Sequence, residues 1–125
     1  MGIKITELGS SGLKVSNLGL GCMGMSAFYG ETNEEESLKT IDLALDLGIN
    51  FFDTANVYSI GRSEEIIGKA LKDFAKRDEV VLATKVHGKM HEGPNGSGLS
   101  RKSIMSEIDK SLKRLTEDMT YNNTI

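Results

Sequence analysis

Gly48-Ile49-Asn50-Phe51-Phe52-Asp53-Thr54-Ala55-Asn56-Val57-Tyr58 is an apolar run that starts after a glycine and ends in a polar loop. Aromatic and β-branched residues bounded by turn formers predict a strand over residues 49–54. Upstream, Thr32-Asn33-Glu34-Glu35 forms a capping box in which the Thr and Glu side chains satisfy free backbone amides. Leu38, Ile41, Ala44 and Leu45 then recur at helical spacing, and Gly48 supplies the stop. Downstream, Ser63 is the expected cap of a second helix whose face is Ile66, Ile67, Ala70, Leu71 and Phe74. The same reading extends outward to a strand over residues 17–22 and another over residues 79–86. The latter is nearly continuous in its hydrophobicity, as when both faces are buried. A third helix follows, capped by Ser100, with Ile104, Ile108, Leu112 and Leu115 along one face. Strand starts recur at about 30 residues, the length of a βα unit, and such alternation requires a parallel sheet. Ahead of the repeat, residues 4–8 and 13–15 flank the turn Gly9-Ser10-Ser11-Gly12 as a β-hairpin.

Composition narrows the function classes. Of 125 residues, 38% are hydrophobic and 26% charged, the balance of a globular domain and not of a disordered chain. The net charge of −3 is small and unclustered, so neither nucleic acid nor a membrane surface is an expected partner. No apolar run approaches a bilayer span, and the N-terminus lacks the apolar core of a signal peptide. Met1-Gly2 with Thr6 fits the loose myristoylation pattern, which an incidental Gly2 also satisfies. Cys22 is the only cysteine, so no intrachain disulfide is available and the expected compartment is the cytoplasm.

Two constellations bear on chemistry. Gly19-Leu20-Gly21-Cys22-Met23-Gly24 matches G-x-G-x-x-G after a strand. A Rossmann dinucleotide site, however, needs that turn to open directly into a helix, and residues 25–31 intervene before the capping box. The expected ribose-binding acid is also misplaced, since Asp42 falls inside a helix and Asp53 lies too far along. The second constellation is Asp53, Tyr58 and Lys85. Asp53 and Lys85 fall at strand C-termini, which converge on one mouth in a parallel βα protein, and Tyr58 follows in the loop. An ammonium beside a phenol stabilises the phenolate, which makes the tyrosine a usable proton donor to a developing alkoxide. The bland alternative is a structural Asp–Lys pair with Tyr58 as an ordinary amphipathic surface residue. His87 and His91 with Glu92 have helical ligand spacing, but Gly88, Gly93 and Pro94 make the segment a loop, and no metal site is expected. Met23, Met25 and Met90 are read as gap-fillers before mouth-lining residues.

The wording of several segments resembles the aldo-keto reductases. Leu8-Gly9, residues 11–16 and residues 18–25 match the family's opening. The run Gly48 to Tyr58, Ser63-Glu64-Glu65-Ile66-Ile67-Gly68-Lys69-Ala70-Leu71 and Ala83-Thr84-Lys85 follow in the family's order. The match is to the branch that includes potassium-channel β subunits and auxin-induced, perakine-reductase-like enzymes. This resemblance implies a (β/α)8 TIM barrel, here an incomplete barrel of about three βα units preceded by a hairpin, binding NADPH without a Rossmann domain. It implies an Asp, Tyr, Lys, His tetrad, of which three map: Asp53 as lysine partner, Tyr58 as general acid and Lys85 as the tuning group. Gly21, Cys22 and Met23, with Asp53, take the positions lining the nicotinamide end. Cys22 stands where many members have Thr, which weakens any side-chain hydrogen bond there.

The resemblance runs out after Ser111-Leu112-Lys113-Arg114-Leu115. Members continue into a fourth strand ending in the tetrad His, whereas residues 116–125 are polar, without period and without histidine. Residues 1–125 are thus expected to form the N-terminal portion of one aldo-keto reductase domain, with 116–125 an atypical, poorly packed tail. The implied activity is NADPH-dependent reduction of a small-molecule aldehyde or ketone. The 125-residue chain alone is expected to lack useful turnover. A non-catalytic fragment acting as a binding module and a Rossmann-type dehydrogenase are the rival readings, and oligomeric state is not legible.

Overall fold

The computed structural model describes residues 2–25 and 34–115. The chain opens with the expected hairpin, β1 (Ile5–Glu7) and β2 (Lys14–Ser16), antiparallel with Thr6 opposite Val15. Leu8 N donates to Leu13 O at 2.9 Å to close the turn, where Gly9 and Gly12 take positive φ.

Three short strands, β3 (Leu20–Gly21), β4 (Phe51–Asp53) and β5 (Val81–Ala83), then form one parallel sheet in the order β3-β4-β5. Leu20 pairs with Phe52 and Phe52 with Leu82; Gly21 pairs with Asp53 and Asp53 with Ala83. The expected strands were longer at both ends. Arg77–Glu79 forms a single 3-10 turn instead, because an apolar run records burial and not the length of the hydrogen-bond ladder.

Helix α1 (Glu34–Asp46) follows β3, α2 (Arg62–Phe74) follows β4 and α3 (Arg101–Leu115) follows β5. The end of α1 is a Schellman arrangement: Gly48 N donates to Leu45 O and Ile49 N to Ala44 O, with Gly48 at φ 98°. The expected cap Thr32 lies outside the described residues, as does most of the segment 25–31 and all of the tail 116–125. Ser100 caps α3 as expected, its Oγ accepting from Ser103 N at 3.1 Å.

Three expectations about helices are corrected. Phe74, read as part of the apolar face of α2, is exposed at the end of that helix. Ser63 is not the cap of α2. Gly61 in the left-handed region holds that place, and Ser63 lies inside the helix, fully buried. On α3 the buried row is Ser103, Glu107, Ser111 and Leu115, whereas Ile104 is exposed and Ile108 and Leu112 are half-buried. Spacing marks two candidate rows on α3, both ending at Leu115, and the contact with α2 selects the one through Ser111. The two helices meet at Gly68, where an added Cβ would stand 2.5 Å from Arg114 O.

The core lies between sheet and helices: Phe52 and Leu82 meet Ile41 and Ala44 of α1, Ile66, Ile67, Ala70 and Leu71 of α2, and Leu115 of α3. At the strands' N-terminal end, Asn50 joins the two sheets. Its Oδ1 accepts from Ser16 N at 2.6 Å, and its Nδ2 donates to Lys14 O and Glu79 O at 3.0 Å each.

Gly68→Ala tests the helix contact. At an exposed helical site the change stabilises by about 1 kcal/mol. Here it is expected to destabilise by about 1–3 kcal/mol through overpacking, read from urea denaturation. A gain in stability would mean that α2 and α3 do not meet there.

Candidate active site

The parallel register delivers three candidate side chains to one end of the sheet. Asp53 is the last residue of β4, and Lys85 stands two residues past the end of β5, held by Asn56 N donating to Lys85 O at 3.1 Å. Lys85 Nζ donates to Asp53 Oδ1 and Oδ2 at 3.1 and 3.0 Å, to Thr54 O at 2.6 Å and to Tyr58 Oη at 3.4 Å. The ammonium also lies 5.1 Å from the Tyr58 ring centroid. The expected juxtaposition of Asp53 and Lys85 is therefore present, with Tyr58 on the same ammonium.

Tyr58 owes its place to a tight turn. Tyr58 N donates to Ala55 O, and Tyr58 O accepts from Ser63 N. Ser59, Ile60 and Gly61 are consecutive left-handed residues at φ 48°, 49° and 92°. A β-branched residue in that region is strained, and the sharp reversal it permits carries the chain straight into α2.

Both members of the ion pair are about half exposed, so Lys85 is accessible to solvent and ligands. Partial burial pulls its pKa down, but the hydrogen bond to Asp53 and the charge of that carboxylate, with the hydrogen bond it donates to Tyr58 Oη, outweigh that and hold it above the ordinary lysine value. Because the folded value is the higher one, the stabilisation is fully present below the unfolded lysine pKa. It is lost as pH rises through the folded value.

Of the positions expected to meet a nicotinamide, Gly21 pairs with Asp53 and is exposed, with no heavy atom within 4 Å of where a Cβ would sit. Cys22 offers only its backbone to that surface. Its N–H donates to Asp53 O at 2.8 Å, and its fully buried thiol donates to Leu20 O at 3.5 Å. Burial pushes this thiol up to about 12, against the opposing pull of the Asp53 backbone amide. Met23 is half-buried and belongs with Gly24 and Met25 to a single 3-10 turn; Met25 packs in the core, as a gap-filler does. Gly24 thus opens no α-helix among the described residues.

The loop after β5 carries His87 and His91. It leans on the Tyr58 loop at Gly88, where a Cβ would come within 2.7 Å of Val57. Among the described residues no group of three His, Cys, Asp or Glu could hold a metal, and no helix is long and apolar enough to cross a membrane. A cavity of about 680 Å³ lies at the opposite end of the sheet, between hairpin and helix ends, and contains none of the candidate residues.

The sequence reading missed Glu64, which is fully buried. It shares the helical row of Ile67, Gly68 and Leu71, so spacing alone could have flagged a carboxylate on the buried face.

A parallel βα repeat with a carboxylate, an ammonium and a phenol joined at its strand C-termini defines a barrel-type α/β protein with a polar site at the barrel mouth. The chain belongs to the aldo/keto reductase family, whose description matches residues 17–121. It is 40% identical over 117 residues to aldo-keto reductase YhdN of Bacillus subtilis, covering 93% of this chain and 35% of that one. It is 42% identical over 120 residues to a "Probable voltage-gated potassium channel subunit beta" of Oryza sativa, covering 95% and 35%. The solved structure of aldo-keto reductase AKR11C1 from Bacillus halodurans, in its holo form, superposes with a TM-score of 0.77 at 39% identity, covering 90% of this chain and 36% of that one. The chain therefore spans about a third of the length of these relatives. The fold class is that of the aldo-keto reductase TIM barrel, which sets aside the Rossmann alternative. Members are oxidoreductases that act on small carbonyl compounds and typically bind a nicotinamide cofactor.

The burial of Cys22 has a direct readout. At pH 8, iodoacetamide is expected to modify it at least about a hundredfold more slowly in the native chain than in urea, followed by mass spectrometry. Equal rates would show that the end of β3 is open to solvent.

Proposed function

We propose that the protein to which this sequence belongs reduces aldehydes or ketones to alcohols with NADPH, and that Asp53, Tyr58 and Lys85 are its proton-transfer machinery. The observation that carries this reading is the single ammonium of Lys85 shared by the Asp53 carboxylate and the Tyr58 hydroxyl.

When bound, the cofactor supplies a hydride to the carbonyl carbon. Tyr58 Oη gives its proton to the carbonyl oxygen as negative charge develops there, and the phenolate left behind faces the Lys85 ammonium. Asp53 keeps Lys85 protonated and aims it, because both carboxylate oxygens accept from Nζ. The open surface at Gly21 fits the flat nicotinamide end of the cofactor, with Cys22 and Met23 continuing that edge. The preference for NADPH follows the family resemblance, and the cytoplasmic setting follows the reading of the lone Cys22 and of a sequence without an apolar span. The substrate is a small molecule, with neither nucleic acid nor membrane as partner.

The test places residues 2–115 in a complete barrel, in exchange for the matching part of a relative such as YhdN. NADPH absorbance is followed with a nitrobenzaldehyde. Tyr58→Phe is expected to lower kcat by on the order of 10²–10⁴-fold in the folded graft. The 125-residue chain assayed alone is expected to show no Tyr58-dependent turnover, since the resemblance assigns the carbonyl-orienting histidine to a fourth strand. Equal rates for the graft and its Tyr58→Phe variant would sink the proposal.

A further inference from the structure

Beneath the mouth, two consecutive residues of α2 reach all three strand ends. Ser63 and Glu64 are both fully buried. Ser63 Oγ donates to Cys22 O at 2.8 Å and lies 2.8 Å from Thr54 Oγ1. A serine has one hydroxyl proton, so Thr54 must be the donor in that second bond, giving a directed chain from Thr54 through Ser63 to the Cys22 carbonyl. Glu64 Oε2 accepts from Thr84 Oγ1 at 2.7 Å, and Oε1 accepts from Arg114 at 2.8 Å. Thr54, Cys22 and Thr84 thus end β4, β3 and β5 in one buried polar cluster, and Arg114 ties α3 to it.

The row of the sheet that this cluster holds is decisive. Gly21, Asp53 and Ala83 are paired in register, so Cys22, Thr54 and Thr84 form the next row. Side chains alternate along a strand, so this row turns toward α2 while Asp53 in the row before it, and Lys85 after it, turn to the opposite face. The clamped row therefore lies between the two members of the ion pair. Replacing a buried ion pair such as Glu64–Arg114 by apolar packing commonly costs no net stability, so the contribution left to such a pair is placement.

We propose that Ser63 and Glu64 are positioning residues, which set the distance between Lys85 and both Asp53 and Tyr58 by holding the Cys22–Thr54–Thr84 row. The inference rests on the reading of Asp53, Tyr58 and Lys85 as the reacting groups. Its geometry can be tested without turnover, so failure of either is seen separately.

The experiment uses the full chain labelled with ¹³Cε-lysine, with Lys85 assigned through Lys85→Arg. Two signals are read: the pH titration of Lys85, and the nuclear Overhauser contact between its ε protons and the Tyr58 ring. In Thr84→Val the Lys85 midpoint is expected to move at least halfway back to its value in urea, and the contact to Tyr58 to be lost. Thr84→Ser, which restores the hydroxyl, should recover both. Ile67→Val, a core change without a hydrogen bond to any strand end, serves as the control and should move neither. Should Thr84→Val fail to fold, Ser63→Ala is read in the same way. Unchanged Lys85 signals in a folded Thr84→Val or Ser63→Ala chain overturn the proposal. So does an equal shift in Ile67→Val, since loosening of the core would then account for it.

Discussion

The register of the three parallel strands is the constraint from which everything else follows. Leu20, Phe52 and Leu82 share one row, and Phe52 and Leu82 are fully buried against the helices. With a side-chain period of two, a slip of one residue in β4 would turn Phe52 out of the core and Asp53 into it. The large apolar gain from burying Phe52 and the cost of burying an unpaired carboxylate oppose that slip together. The packing of the core thus sets the face on which Asp53 appears, and through β5 the face on which Lys85 appears.

Polar anchors close the sheet at both ends, where the ladder stops. At the N-terminal end the Asn50 amide supplies hydrogen bonds to the hairpin and to the approach to β5. At the C-terminal end Ser63 and Glu64 do the same for the three strand termini. Around strands of only two or three residues some backbone groups are met by side chains, as Lys14 O and Glu79 O are by Asn50 and Cys22 O is by Ser63. The fully buried Ser63, Glu64 and Thr54 would each cost free energy if left single, which makes that cluster cooperative.

The site that results is asymmetric. On its helix side it is dry and over-determined, with Cys22, Thr54 and Ser63 essentially without solvent contact. On its open side Lys85 and Asp53 remain half exposed, and the strained turn at Ser59 and Ile60 carries Tyr58 to them. A buried, hydrogen-bonded support thus stands behind half-exposed charges that a ligand can reach.

The βα rhythm, the hairpin, the Gly48 stop, the Ser100 cap and the strand-end placement of Asp53 and Lys85 were determined by the sequence alone. Each depends on local periodicity or on the chemistry of a turn or cap, which a few neighbouring residues encode. The face that α3 buries, the interior role of Ser63, the reach of Asn50 and the burial of Glu64 were decided only by tertiary structure. Helical spacing identifies a row of residues but not the neighbour it will meet, and Ser103 takes the buried place beside Ile104 where its hydroxyl donates to Asn95 O at 3.3 Å and lies 3.0 Å from Ser100 Oγ. The bonds of Asn50 and Glu64 join residues 20 to 50 positions apart in the chain, a separation at which no local pattern can announce a partner.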